Sequence, residues 1–205
     1  SAESLAKAAE IVCEEGGIGI DLNMGCSAPQ IYKTGAGIAW MLKPLKETAE
    51  AVSKVKKSLD LIEEKTQNHF RFSVKCRLGN ENFTEQTFFN FTDMLVENGV
   101  ELITLHARTI KEKYRGLPRY EFAKKLSQRY EKKIKVYVNG CIKDTASAKF
   151  AIQQAPEADG IMIARAAAER PWIFAQIKNG LEDSAEKITV DRMQTALNII
   201  DNVEK

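Results

Sequence analysis

Five short apolar runs, separated by stretches of helical periodicity, constrain this chain more than any other feature. IGIDL (18–22), FSVKC (72–76), VELITLH (100–106), IKVYV (134–138) and ADGIMI (158–163) have strand length and strand composition. Between them, apolar residues at helical spacing predict helices over about 45–65, 84–98, 119–130 and 144–154. An opening helix over 1–15 sets Leu5, Ala8, Ala9 and Val12 on one stripe, and the Gly16-Gly17 pair ends it. Buried strands alternating with helices read as βαβ units of a parallel sheet. With strand starts placed at 18, 71, 100, 134 and 158, the intervals are 53, 29, 34 and 24 residues. Apart from the first, these are close to the roughly 30 residues per unit of a (β/α)8 barrel, and an open five-stranded α/β sheet is the alternative.

Composition narrows the class further. The chain has 205 residues, 44% hydrophobic and 28% charged, with a mean hydropathy of −0.31, so disordered, collagenous and membrane-spanning classes are excluded. That length holds one domain with at most a small appendage. The four cysteines, spaced by 13, 50 and 65 residues, form neither a CxxC pair nor a zinc-ligand pattern. The expectation is a protein without metal, without a membrane span or signal peptide, in the reducing cytoplasm. Net charge is only +2, but residues 108–135 hold eleven Lys/Arg against three acids, so that segment carries +8 and the remainder −6. Such a run reads either as a solvated helix face or as a surface turned to phosphates. Towards the end of the chain, Pro171 suits a first helical position, and 190–205 reads as an amphipathic helix with Met193, Leu197, Ile200 and Val203 as its stripe.

In parallel α/β folds the reactive groups lie just past the carboxyl ends of the strands. Here those positions hold Asn23-Met24-Gly25-Cys26, Lys75-Cys76-Arg77, His106-Ala107-Arg108, Asn139-Gly140-Cys141 and Ala164-Arg165. The last two are short loops of small residues, one with an arginine, as a phosphate group requires. Barrels often bind phosphate after strands seven and eight, which would make IGIDL the fourth strand and place three strands ahead of it. A cysteine thiol of ordinary pKa, near 8.5, is about 97% protonated at pH 7, so in the glycine-containing loop Cys26 reads as a proton donor before a nucleophile, or as buried filler. Cys13 and Cys76, within a helix and a strand, read as core; Cys141 stays open. His69 falls in a polar surface stretch, while His106 is either structural or a cofactor contact. Lys75 and Arg77 share one side of their strand and need anionic or carbonyl partners.

Five segments in order resemble the tRNA-dihydrouridine synthase family: DLNMGCSAPQIYKTGAGIAWML, SVKCRLG, ITLHART with the following KYRG, VYVNGCI, and DGIMIARAAAERPWIF. The combination of VNG and MIARAA in the last two looks closest to the eukaryotic-type and related branches. The resemblance covers residues 1–178 and implies a TIM (β/α)8 barrel present from its fourth to its eighth strand (1–180), followed by the start of a helical domain (181–205). It implies noncovalent FMN, NADPH as electron donor, tRNA as partner, and reduction of the C5=C6 bond of particular uridines. Cys26 matches the family's proton donor. Lys75, His106, Asn139, Gly140, Cys141, Ala164 and Arg165 match its flavin contacts, and Asn23 and Arg77 the readers of the uracil edge. Arg108, Lys111, Lys113 and Arg115 become tRNA contacts. Three positions depart from the pattern: Ser27 stands for a usual proline, Cys141 for a frequent aspartate and Ala164 for a frequent glycine. Competing readings are another FMN-dependent barrel acting on a small molecule of dihydroorotate or enoate type, and a non-catalytic RNA-binding fragment.

Overall fold

Alternation within each apolar run decides how the sheet faces. A computed structural model describes residues 1–182. Its five parallel strands are β1 (Gly19–Met24), β2 (Arg71–Cys76), β3 (Leu102–His106), β4 (Lys135–Asn139) and β5 (Gly160–Met162), and they lie side by side in chain order. Register aligns Leu22 with Val74, Val74 with Ile103, Ile103 with Val136, and Val138 with Ile161, so one face is an apolar sheet surface.

The helices, in chain order, are α1 (Ala2–Glu14), α2 (Pro29–Tyr32), α3 (Ala39–Leu42), α4 (Leu45–Thr66), α5 (Glu85–Glu97), α6 (Glu121–Tyr130), α7 (Thr145–Gln154), α8 (Arg165–Glu169) and α9 (Ile173–Leu181). Strands in sequential order, joined by crossovers of one hand, put every long helix on the same side of the sheet. The core follows from this: Val52, Val55 and Leu59 of α4, Phe88 and Leu95 of α5, and Leu126 of α6 join Phe72, Val74, Cys76, Ile103, Leu105, Val136 and Val138 in one buried cluster. Aromatic rings reinforce it, with Phe83 and Phe88 both edge-on to Phe122.

The other face carries the sheet's polar side chains together with Leu102, Tyr137 and Met162. In register across it stand Asp21 beside Ser73, Asn23 beside Lys75, Lys75 beside Thr104, and His106 beside Asn139. None of these side chains belongs to the helix-side cluster. A sheet covered on one side and bearing its polar side chains on the other presents its second face as a site.

The sequence expectations for α1, α4, α5 and α7 hold to within two residues at each end. Boundaries move in four strands, β5 among them, expected over 158–163 and found at Gly160–Met162. β1 continues through Met24, so Asn23 and Met24 lie inside the strand, because pairing with Lys75 and Cys76 extends the ladder. β4 takes in Asn139 for the same reason, opposite His106. β3 starts at Leu102, since the Val100 N–H closes α5 by bonding to the Leu95 carbonyl. Pro171 sits in the turn ahead of α9, whose N-cap is Trp172. The expected helix over 190–205 lies outside the described residues, as does most of the expected helical region 181–205. Among the described residues no helix is long and apolar enough to cross a membrane.

Candidate active site

Cys26 is placed by two hydrogen bonds and one close approach. The Asn23 Oδ1 accepts from the backbone N–H groups of Gly25 (3.1 Å) and Cys26 (3.0 Å), which turns the chain sharply at the end of β1. The Cys26 carbonyl then accepts from the Ile38 N–H at 3.0 Å. Gly37 lies against that carbonyl with a φ of +59°, and a Cβ there would stand 2.4 Å from the oxygen. Only glycine allows the approach. Cys26 is half-buried and free, whereas Cys13 and Cys76 are buried in the core, where burial pushes the Cys76 thiol up to about 12.

At the end of β3, His106 is 6% exposed and its pKa falls to about 3, first through burial and then through the charges of Arg77, Lys75, Arg108 and Arg165. The ring is therefore neutral. Arg108 Nη1 lies 2.9 Å from His106 Nε2; a guanidinium only donates, so Nε2 accepts and the proton sits on Nδ1. Arg108 is 1% exposed, and its Nη2 also donates to the Gly116 carbonyl and to Cys141 Sγ (3.1 Å). The structure thus sets Arg108 inside the site, while Lys111, Lys113 and Arg115 are exposed on the loop beyond it.

Arg77 is buried too, donating to the carbonyls of Gly25 (3.0 Å) and Lys113 (3.3 Å). Lys75 is partly buried, and burial lowers its pKa. Lys75, Arg77, Arg108 and Arg165 have no carboxylate partner within ion-pair distance among the described residues. Four cations around one face, outside any ion pair among the described residues, suit an anionic group.

The loop after β4 is held tightly. Asn139 Nδ2 donates to the Met162 carbonyl (2.9 Å), Tyr120 donates its hydroxyl proton to the Gly140 carbonyl (2.6 Å), and Cys141 takes a φ of +54°. Gly140, at φ +114°, packs so close to His106 that a Cβ would meet the ring at 2.7 Å. Ala164 precedes α8, which begins with Arg165.

Two tyrosines belong to the site without having been singled out by sequence. Tyr114 is 61% exposed, stacks on His106 with centroids 6.4 Å apart, and lies under the Arg165 guanidinium at 4.3 Å. Tyr120 fixes the Gly140 loop. The KYRG segment contained Tyr114, but no periodicity showed that its loop folds back over β3.

Fold and site together define a parallel α/β protein, wound in one direction, whose strand ends carry a cationic face beside a free thiol. Within that class the chain belongs to the dihydrouridine synthase family, whose model matches residues 1–205. Relatives include a tRNA-dihydrouridine synthase B from Proteus vulgaris, 31% identical over 87% of this chain and 51% of its own length. Another is a protein described as a tRNA-dihydrouridine synthase from Helicobacter pylori, 34% identical over 78% of this chain and 45% of its own. The chain spans about half the length of the curated relatives it matches. Among solved structures, a dihydrodipicolinate synthase family protein from Coccidioides immitis aligns with a TM-score of 0.52 at 14% identity, over 83% of this chain and 51% of that one, a likeness of fold.

Proposed function

We propose that this chain is the flavin-binding part of a tRNA-dihydrouridine synthase, its five strands being the fourth to eighth of a (β/α)8 barrel, with residues up to 180 in the barrel and 181–205 opening a helical region. The observation that carries the reading is the set of four cations, none in an ion pair among the described residues, around a neutral, buried His106. An FMN phosphate and the electron-rich pyrimidine end of its ring suit that field. Lys75 and the His106 Nδ1–H would hold the ring end, and Asn139, Gly140, Cys141, Ala164 and Arg165 the phosphate end. When bound, FMN would supply hydride transfer to C6 of the uracil, recharged by NADPH.

The chain's own groups have the remaining tasks. C5 of the uracil needs a proton, and the Cys26 thiol stands in the loop that the Asn23 turn presents. Asn23 has its Oδ1 engaged in that turn and keeps its Nδ2 for a uracil carbonyl. Arg77 likewise keeps Nη2. The target base has to leave its stack to reach such a face, and the exposed Lys111, Lys113 and Arg115 would meet the tRNA backbone beside it. Arg108, buried beneath the loop, would support this surface from within.

Cys26→Ala in the flavin-loaded protein should retain NADPH-driven bleaching of the flavin while tRNA uridine reduction falls about 10²- to 10⁴-fold, the range for a lost general acid. Normal turnover by that variant would remove Cys26 from the role. Loss of bleaching as well would place Cys26 with the cofactor instead.

A further inference from the structure

The Arg77 side chain is 5% exposed and, among the described residues, makes no ion pair, yet it is not idle. Its Nε donates to the Gly25 carbonyl at 3.0 Å, while Nη1 donates to the Lys113 carbonyl at 3.3 Å and reaches that of Thr109 at 3.5 Å. These carbonyls belong to two different loops. Gly25 immediately precedes Cys26, and Thr109 to Lys113 begin the segment that carries Tyr114 and Arg115. The second loop is also braced internally: Glu112 Oε2 accepts from the Thr109 N–H (2.5 Å) and from Arg119 Nη2 (3.0 Å). At its far end Arg108 holds the Gly116 carbonyl.

A guanidinium is a rigid planar fork, so its donors move together, and its bonds to carbonyls are charge-assisted. Leaving such donors unmet in a buried position is expensive. A shift of the 109–116 loop must therefore either strip Arg77 or carry its fork along, and the fork is also fastened to Gly25.

We propose that Arg77 is a positioning residue that couples the 109–116 loop to the Cys26 loop, so that displacement of one displaces the other. Its functional sense rests on the reading of Cys26 as proton donor and of the loop as the RNA contact: engagement of the loop then sets the thiol in place. The exchange measurement below uses neither tRNA nor turnover, so failure of the coupling and failure of that reading are distinguishable.

The test is amide hydrogen exchange on the intact chain with a two-way mutant cycle. Glu112→Gln weakens the internal brace by removing its charge, and the side chain it replaces makes no hydrogen bond to Arg77 or Cys26. It should speed exchange not only at Lys113 and Arg115 but also at Cys26 and Ile38, by at least about fivefold, the lower end of usual coupling factors. In the Arg77→Met background the same change should add nothing at Cys26 and Ile38, because the link is already gone. Arg77→Lys keeps the charge but offers one nitrogen, and should behave as Arg77→Met. Amides of β2 and β3 should stay slow throughout. An effect of Glu112→Gln confined to residues 109–119, or full rescue by lysine, would overturn the coupling. If Arg77→Met fails to fold, the Glu112→Gln and Arg77→Lys arms still decide the matter.

Discussion

At the scale of single residues, the two histidines are opposed in their response to pH. His106 is buried and held neutral, its pKa lowered to about 3, so below the unfolded value near 6.5 the unfolded chain binds the extra proton first. Its burial therefore costs stability as pH falls from about 6.5 towards 3, with a slope of at most about 1.4 kcal/mol per pH unit. His69 is exposed between Glu101 and Glu63, each 2.9 Å away, and the Glu101 hydrogen bond leads in raising its pKa. Its contribution is complete below the unfolded value and disappears as pH rises through the folded one. Melting from pH 7 to pH 4 should show a shallower acid loss in His106→Gln than in the parent, and the reverse in His69→Gln. Equal slopes in all three proteins would contradict both assignments. Gly37 makes a second prediction at this scale. Gly37→Ala forces a Cβ towards the Cys26 carbonyl at a left-handed φ, so stability should fall by about 1 kcal/mol or more while iodoacetamide alkylation of Cys26 changes in rate. The sequence marked Cys26 and Gly37 as near neighbours in one loop, but the contact between them exists only because α2 and α3 fold the loop back. Each is four residues long, about one helical turn, too short to leave a periodic signal.

At the scale of elements, the strands were legible because each has apolar residues facing helices, and the errors at the ends of β1 and β4 fell where polar residues continue the ladder. Asn23 and Asn139 look like loop residues by composition, yet they pair in register with Lys75 and His106. α7, legible from its apolar spacing, is capped by Asp144: its Oδ1 accepts from the Ser147 N–H at 2.8 Å, and Ser147 Oγ accepts from the Asp144 N–H at 3.1 Å. Those bonds, the Ser147 side chain first, hold the Asp144 carboxyl below its ordinary range. Asp144→Ala should destabilise the chain by about 1 kcal/mol at neutral pH. Because a depressed carboxylate contributes only above its unfolded pKa, the gap between parent and variant should narrow as the solution is acidified. Urea midpoints at pH 7 and pH 3 measure both, and a gap that widens in acid would contradict the capping account.

At the scale of the whole molecule, the basic run over 108–135 turns out not to be one surface. Arg108 is buried, Arg119 pairs with Glu112 (3.0 Å), Lys125 with Glu85 (2.5 Å) and Arg129 with Asp93 (2.5 Å). The exposed remainder divides between the loop after β3, with Lys111, Lys113 and Arg115, and the entry to β4, with Lys132 and Lys133 in the turn and Lys135 opening the strand. These groups lie at opposite ends of the strands, the first beside the candidate site and the second away from it. Sequence could count the charges but not sort them, because burial and pairing depend on partners 30 to 40 residues distant, such as Glu85 and Asp93. Charge placement, separated from net charge, can then be tested directly. Reversing Lys111, Lys113 and Arg115 to glutamate takes the formal net charge from +2 to −4, and reversing Lys132, Lys133 and Lys135 does the same. If tRNA lies across the strand ends, the first triple variant should bind unmodified tRNA more weakly, and its slope of log K against log salt should be smaller by about 2, at 0.7 to 0.9 per lost phosphate contact. The second should lose only the general attraction of net charge and keep the parental slope. Equal slopes in the two variants would assign the exposed lysines and arginine of the β3 loop to solvent, and tRNA binding to another part of the surface.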